Sequence, residues 1–180
     1  MRKIRILTFG IAFAVAFLLA FFISNSMNTD LGFSLRYSVA GKDYISTFDK
    51  TLTVDTVAGM KTIEFELTKE DLKRIEDKIE ELGIMDEDFS NLPSSGLDIG
   101  HNGVYELKIE LGDQTKYAYW TTANSSGKIG IPIDMNKVQE DKFKGEFARV
   151  NKLFALKNFI VEIIMEYEEY KALPAHTMYL

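Results

Sequence analysis

Eighteen consecutive, almost wholly apolar residues, Ile6 to Ile23, follow directly on Arg2, Lys3 and Arg5. A helix of that length rises about 27 Å at about 1.5 Å per residue, close to the roughly 30 Å hydrocarbon thickness of a bilayer. No polar stripe interrupts the run, which argues against an amphipathic core helix. The three cations predict a cytoplasmic N-terminus, so everything after about Ser24 is expected outside the cytoplasmic membrane. The leading expectation is a basic start and single-pass transmembrane anchor over residues 1–24. The alternative is a signal peptide cut near Ser26, since Ser24 and Ser26 fit the small-residue positions before a cleavage site. Against cleavage, the run is longer than a usual signal core, and Phe21, Phe22 and Ile23 carry it nearly to the serines. Cysteine is absent, which excludes a lipid-modified N-terminal cysteine and any disulfide framework.

The remaining length suffices for one domain with its own core. All 27 acids lie at Asp30 or later, and three of the 21 bases lie in the first five residues. That leaves 18 bases against 27 acids, a net charge of −9 on the exported part. Such a charge argues against nucleic acid, anionic lipid surfaces and wall polymers as direct partners of this part. The membrane is a partner only through the N-terminal helix.

Residues 25–31 read as a polar linker. From Gly32 to Val39 the pattern alternates, with Phe33, Leu35, Tyr37 and Val39 on one face and Ser34, Arg36 and Ser38 on the other, the period of a half-buried strand. A turn at Ala40–Asp43 predicts a hairpin to Tyr44–Asp49, which Thr51–Val57 either continues or follows as a separate strand. Alternation returns over Lys61–Leu67. Thr68 then opens a helix, with Asp71 three residues on in the manner of a capping box. Leu72, Ile75, Ile79 and Leu82 supply its apolar stripe, and Gly83 its stop. Residues 83–103 form a long irregular connection. Val104–Leu111 and Thr115–Thr121 predict a second hairpin across Gly112-Asp113-Gln114. A long helix follows from about Val138, with a break or kink expected at Gly145 and an end before Pro174 near Lys171. Residues 175–180 read as a frayed tail. The predicted fold class is α+β: an extracytoplasmic domain over residues 32–174, in the order β-β-β-α-β-β-α, with one antiparallel sheet covered on one face by two helices.

Several local runs carry a likeness beyond this pattern: the glycine-led strand Gly32–Tyr37, the helix start Thr68 to Ile75 (TKEDLKRI), the ELGIM helix exit, the strand Tyr105–Ile109, and the terminal Glu169-Tyr170-Lys171-Ala172-Leu173-Pro174. In these the chain resembles an uncharacterised family of small secreted or membrane-tethered domains of Gram-positive bacteria. The resemblance implies location and fold, and it carries over no catalytic residue.

Catalytic chemistry is hard to assemble. Covalent catalysis needs a nucleophile with a base in reach, yet there is no cysteine, no G-x-S-x-G elbow, and only His101 and His176 as imidazoles. Asp98 and His101 share the 83–103 loop, downstream of Asp86, Glu87 and Asp88, and this set is the best candidate for a divalent metal site. One histidine is few for zinc, and the calcium-loop glycine and late glutamate are missing. Glu64, Glu66, Glu106 and Glu110 are expected to share the outer sheet face, where alternation alone accounts for them. Tyr117 and Tyr119 fall on one face of their strand and Trp120 on the other; Tyr119 and Trp120 are the candidate partner-binding residues, with packing of the tryptophan under the loop 122–130 the favoured alternative to its exposure.

No cofactor is implied. The expected function is non-enzymatic binding of a protein or peptide at the cell envelope. The alternatives are an envelope hydrolase or metal-dependent enzyme using the 83–103 loop, and a scaffold subunit whose membrane helix, with Gly10 and its alanines, packs against others.

Overall fold

Alternation from Gly32 onward builds six strands: β1 (Gly32–Tyr37), β2 (Asp43–Ser46), β3 (Thr51–Thr56), β4 (Gly59–Glu64), β5 (Gly103–Leu111) and β6 (Gln114–Thr122). The structure, a computed structural model, describes residues 29–90, 92, 103–122 and 137–177. The expected anchor, Ile6–Ile23, lies outside these residues, as do Asp98 and His101. Among the described residues no helix is long and apolar enough to cross a membrane. The strands form one antiparallel sheet in the order β4-β3-β2-β1-β5-β6.

The expected strand count is short by one. Tyr44–Val57 divides into β2 and β3, and Ser46 pairs with Thr51 across a turn at Thr47–Lys50. That turn contains no glycine. Side chains close it instead: the Ser46 hydroxyl donates to Asp49 Oδ2 at 2.8 Å and accepts the Asp49 N–H at 3.1 Å. Lys50 completes the reversal at φ 51°. After β4 ends at Glu64, Phe65 and Leu67 still turn inward and are buried, as their alternation demands.

Helix α1 (Lys69–Glu81) starts where the capping signal places it. Thr68 Oγ1 accepts the Asp71 N–H at 3.1 Å, and Gly83 reverses the chain at φ 62°. Helix α2 (Lys137–Glu166) runs through Gly145 without the expected break. It stops at Glu166, short of Lys171, because Tyr167 adopts an extended backbone (φ −77°, ψ 140°) before the short helix α3 (Glu168–Lys171).

Phe33 and Leu35 of β1, Ile45 of β2, Leu52 of β3, and Leu107 and Ile109 of β5 pack with Ile75 and Ile79 of α1 and Leu153, Leu156 and Ile160 of α2 in one core. Both helices therefore cover the same side of the sheet. Each such side chain contributes about 1.5–3 kcal/mol on leaving water. The opposite side carries the polar residues of the same alternation.

The chain end is not frayed at His176. The Val57 N–H donates to Ala175 O at 2.9 Å and the Thr177 N–H to Asp55 O at 3.1 Å, so the tail lies antiparallel beside the end of β3.

Candidate functional site: the open face of the sheet

Sheet register brings together residues far apart in sequence. Arg36 sits between Tyr44 on β2 and Glu106 on β5, and Glu106 lies opposite Tyr119 on β6. The next row reads Ser46, Ser34, Lys108, Tyr117. With strands about 4.8 Å apart, Tyr44 and Tyr119 stand about 14 Å apart at the backbone. Between them lies a shallow groove of about 530 Å³ with Ser34, Arg36 and Glu106 in its floor.

The floor is polar and internally paired. Arg36 Nε donates to Glu106 Oε2 at 3.0 Å and Nη1 to Gly41 O at 3.2 Å. Its guanidinium lies 5.1 Å from the Tyr44 ring centroid, within cation–π range. Lys108 pairs with Glu110 and lies 4.6 Å from the Phe48 centroid. The adjacent Glu110 carboxylate holds the Lys108 ammonium above the usual lysine range. Phe48 lies over Gly32, where any Cβ would come within 2.5 Å of the ring; glycine is what lets it lie there. Tyr117 and Tyr119 are 65% and 58% exposed.

Each cation of the groove thus has its own carboxylate, so the site has no net charge to offer an ionic ligand. What it offers is aromatic walls, a floor of donors and acceptors, and no histidine among its lining residues. Tyrosine and arginine around a concave surface are the composition of a binding interface.

The two aromatic candidates separate. Tyr119 lies on the open face. Trp120 is 1% exposed, stacked on Tyr105 (centroids 5.2 Å apart, planes at 11°) and edge-on to Phe154. It therefore presents no surface to a partner, because strand alternation turns it into the core. Its Nε1 has no hydrogen-bond partner among the described residues.

The metal candidates Asp98 and His101 fall outside the described residues. The acids before them fasten the chain. Glu87 pairs through its carboxylate with Lys152, and its carbonyl accepts from Lys116 Nζ at 2.7 Å. Asp88 Oδ1 accepts the Ser90 N–H at 2.9 Å, and its carbonyl accepts from Arg149. Among the described residues no three His, Asp or Glu side chains converge as metal ligands.

A second polar group lies under the tail. Asp43 is 4% exposed, and its Oδ1 accepts the Asp55 N–H at 2.7 Å. Asp55 pairs with Lys42 at 2.9 Å. Burial, then Asp43 and Tyr170, push the Tyr37 phenol far above the usual tyrosine value. The Tyr170 hydroxyl meets His176 Nε2. These groups join β1, β2 and β3 to the chain end, which is a structural role.

Arg36, Tyr44, Phe48 and Lys108 are site residues that sequence reasoning does not single out. Alternation marks Arg36, Tyr44 and Lys108 as outward, but the neighbour order β2-β1-β5-β6 that assembles them has no local signature. No protein-family model matches the sequence, and no curated protein matches it.

Proposed function

We propose that this chain is a non-enzymatic binding domain, tethered outside the cytoplasmic membrane by Ile6–Ile23, that takes a protein or peptide of the cell envelope on the open face of its sheet. The observation that carries the reading is the neutral groove walled by Tyr44, Tyr117 and Tyr119 on a face that neither helix covers. The acidic balance of the exported part supports a protein ligand over nucleic acid.

A photo-crosslinking residue in place of Tyr119 or Tyr44, in intact cells, gives a discrete protein adduct that Arg36→Ala removes. The same residue in place of the exposed Val57 gives none. Equal labelling from all three positions overturns the proposal. Reporter fusions after residue 30 are active only outside the cytoplasm; a mature chain free in the medium and starting near Met27 replaces the tether with secretion.

A further inference from the structure

β6 is an outermost strand, and half of its backbone faces away from the sheet. The two-residue loop Gly112–Asp113, with Gly112 at φ 59°, pairs Leu111 with Gln114. A loop of this length is closed by a hydrogen-bonded pair, and such pairs alternate along an antiparallel ladder. Lys116, Ala118 and Trp120 therefore bond to β5. The N–H and C=O groups of Tyr117, Tyr119 and Thr121 point outward, and none has a backbone partner among the described residues.

Open edges invite further strands, and proteins guard them with charges, proline, bulges or a covering segment. Here the first half is guarded. Lys116, opposite inward-facing Ile109, is an inward charge tied to the Glu87 carbonyl at 2.7 Å. From Tyr117 to Thr122 the sequence is YAYWTT, without charge, proline or glycine and rich in strand-forming residues. The opposite edge, β4, carries exposed Lys61 and Glu64. The sheet also accepts an extended segment elsewhere, since Ala175–Thr177 lies along the end of β3.

We infer that the Tyr117–Thr122 edge takes an extended peptide segment of the partner as a seventh strand, with uncharged side chains beside Tyr117 and Tyr119. This rests on the proposed binding role and names its mode. Main-chain hydrogen bonds to the three outward residues hold the segment, and the tyrosine wall of the groove selects its alternate side chains. The segment is uncharged at those positions because Lys108 and Arg36, the cations that line the groove, are already neutralised by Glu110 and Glu106.

The test uses the full-length chain in lipid nanodiscs and amide hydrogen exchange read residue by residue. The probe is a synthetic peptide alternating valine and threonine with a lysine at each end; its control is the same peptide N-methylated at alternate residues, which keeps the side chains and removes the outward donors. In the free chain, the amides of Tyr117, Tyr119 and Thr121 exchange at least about tenfold faster than those of Ala118 and Trp120. The peptide slows all three. The methylated peptide binds at least about tenfold more weakly, a difference of roughly 1.4 kcal/mol. Thr121→Pro, whose lost N–H faces outward and leaves the β5 ladder intact, weakens binding to the same degree. If that variant fails to fold, the methylated peptide still decides. Outward amides already protected in the free chain overturn the inference. So does equal binding of both peptides, or binding of neither, while the crosslinks from Tyr119 and Tyr44 persist; the open-face reading then survives. Loss of those crosslinks together with all peptide binding overturns both.

Discussion

Tyr167 donates its phenolic hydrogen to Asp71 Oδ2 across 96 residues of sequence, at 2.5 Å. Its oxygen also accepts the backbone N–H of Thr68 at 2.8 Å, and its ring lies 4.9 Å from that of Phe65. In an ordinary capping box the acid three residues after the cap takes that N–H itself. Here the phenol stands between the two, so the start of α1 is completed by the residue that ends α2.

Tyr167→Phe is therefore expected to cost about 1–3 kcal/mol at neutral pH, since it removes a donor to a charged group and an acceptor for Thr68. The loss depends on pH. Burial raises the Asp71 carboxyl, but hydrogen bonds from Thr68, Tyr167 and Arg74 outweigh it and hold the group below the usual carboxylate value. A depressed folded pKa gives stability that is present above the unfolded value of about 3.9 and lost as pH falls through the folded one. Urea midpoints of wild type and variant should differ by a constant amount from pH 5 to 8, and the difference should narrow as pH falls below about 4, leaving the share that belongs to the Thr68 N–H. A variant in which Asp71 is also replaced by Asn should show a gap with no such narrowing; narrowing that persists there would show that Asp71 is not the group concerned.

Thr68→Ala removes the side-chain cap of α1 and is expected to cost about 0.5–2 kcal/mol. Leu107→Ala and Ile109→Ala, at 4% and 1% exposure, each open a cavity and should cost about 2–5 kcal/mol. Chemical denaturation of the three variants ranks them, and a cap variant less stable than both core variants contradicts the assignment of the inner face.

Asp43→Ala removes the carboxylate that accepts the Asp55 N–H in a buried position and should destabilise by about 1–3 kcal/mol. Asp43→Asn keeps an acceptor oxygen there and should lose less. The order of the two thermal midpoints checks the claim that the hydrogen bond, rather than the charge, is what β3 requires.

Truncation after Leu173 deletes the two backbone bonds to Asp55 and Val57 and the Tyr170–His176 contact. At about 0.5–1.5 kcal/mol net per hydrogen bond, the expected loss is about 1–3 kcal/mol. Amide exchange localises it: the Val57 amide should lose protection while those of β1 keep theirs.

Local patterns carried much of the architecture. Period two exposed the inward faces of β1 and β5 and the opposite orientations of Tyr119 and Trp120 on β6, and the capping threonine and Gly83 bracketed α1. The β2–β3 turn stayed hidden because Ser46 and Asp49 side chains do there what a glycine usually does. Tyr167 falls inside the single helix expected to run on to Lys171; the extended backbone that ends α2 at this residue has no glycine or proline to announce it. The groove was hidden too, since Tyr44, Arg36, Glu106 and Tyr119 become neighbours only through strand order.

That strand order also sets how the domain bears load. β1 is the first strand after the N-terminal segment, yet it lies inside the sheet, laddered to β2 on one side and β5 on the other. A pull along the axis of β1 has to slide it past both neighbours, with many bonds stretched together. The chain end, held beside β3 by two backbone bonds, can instead peel away one bond at a time. Load along β1 is therefore shared by two ladders at once, while load on the tail falls on two bonds in turn.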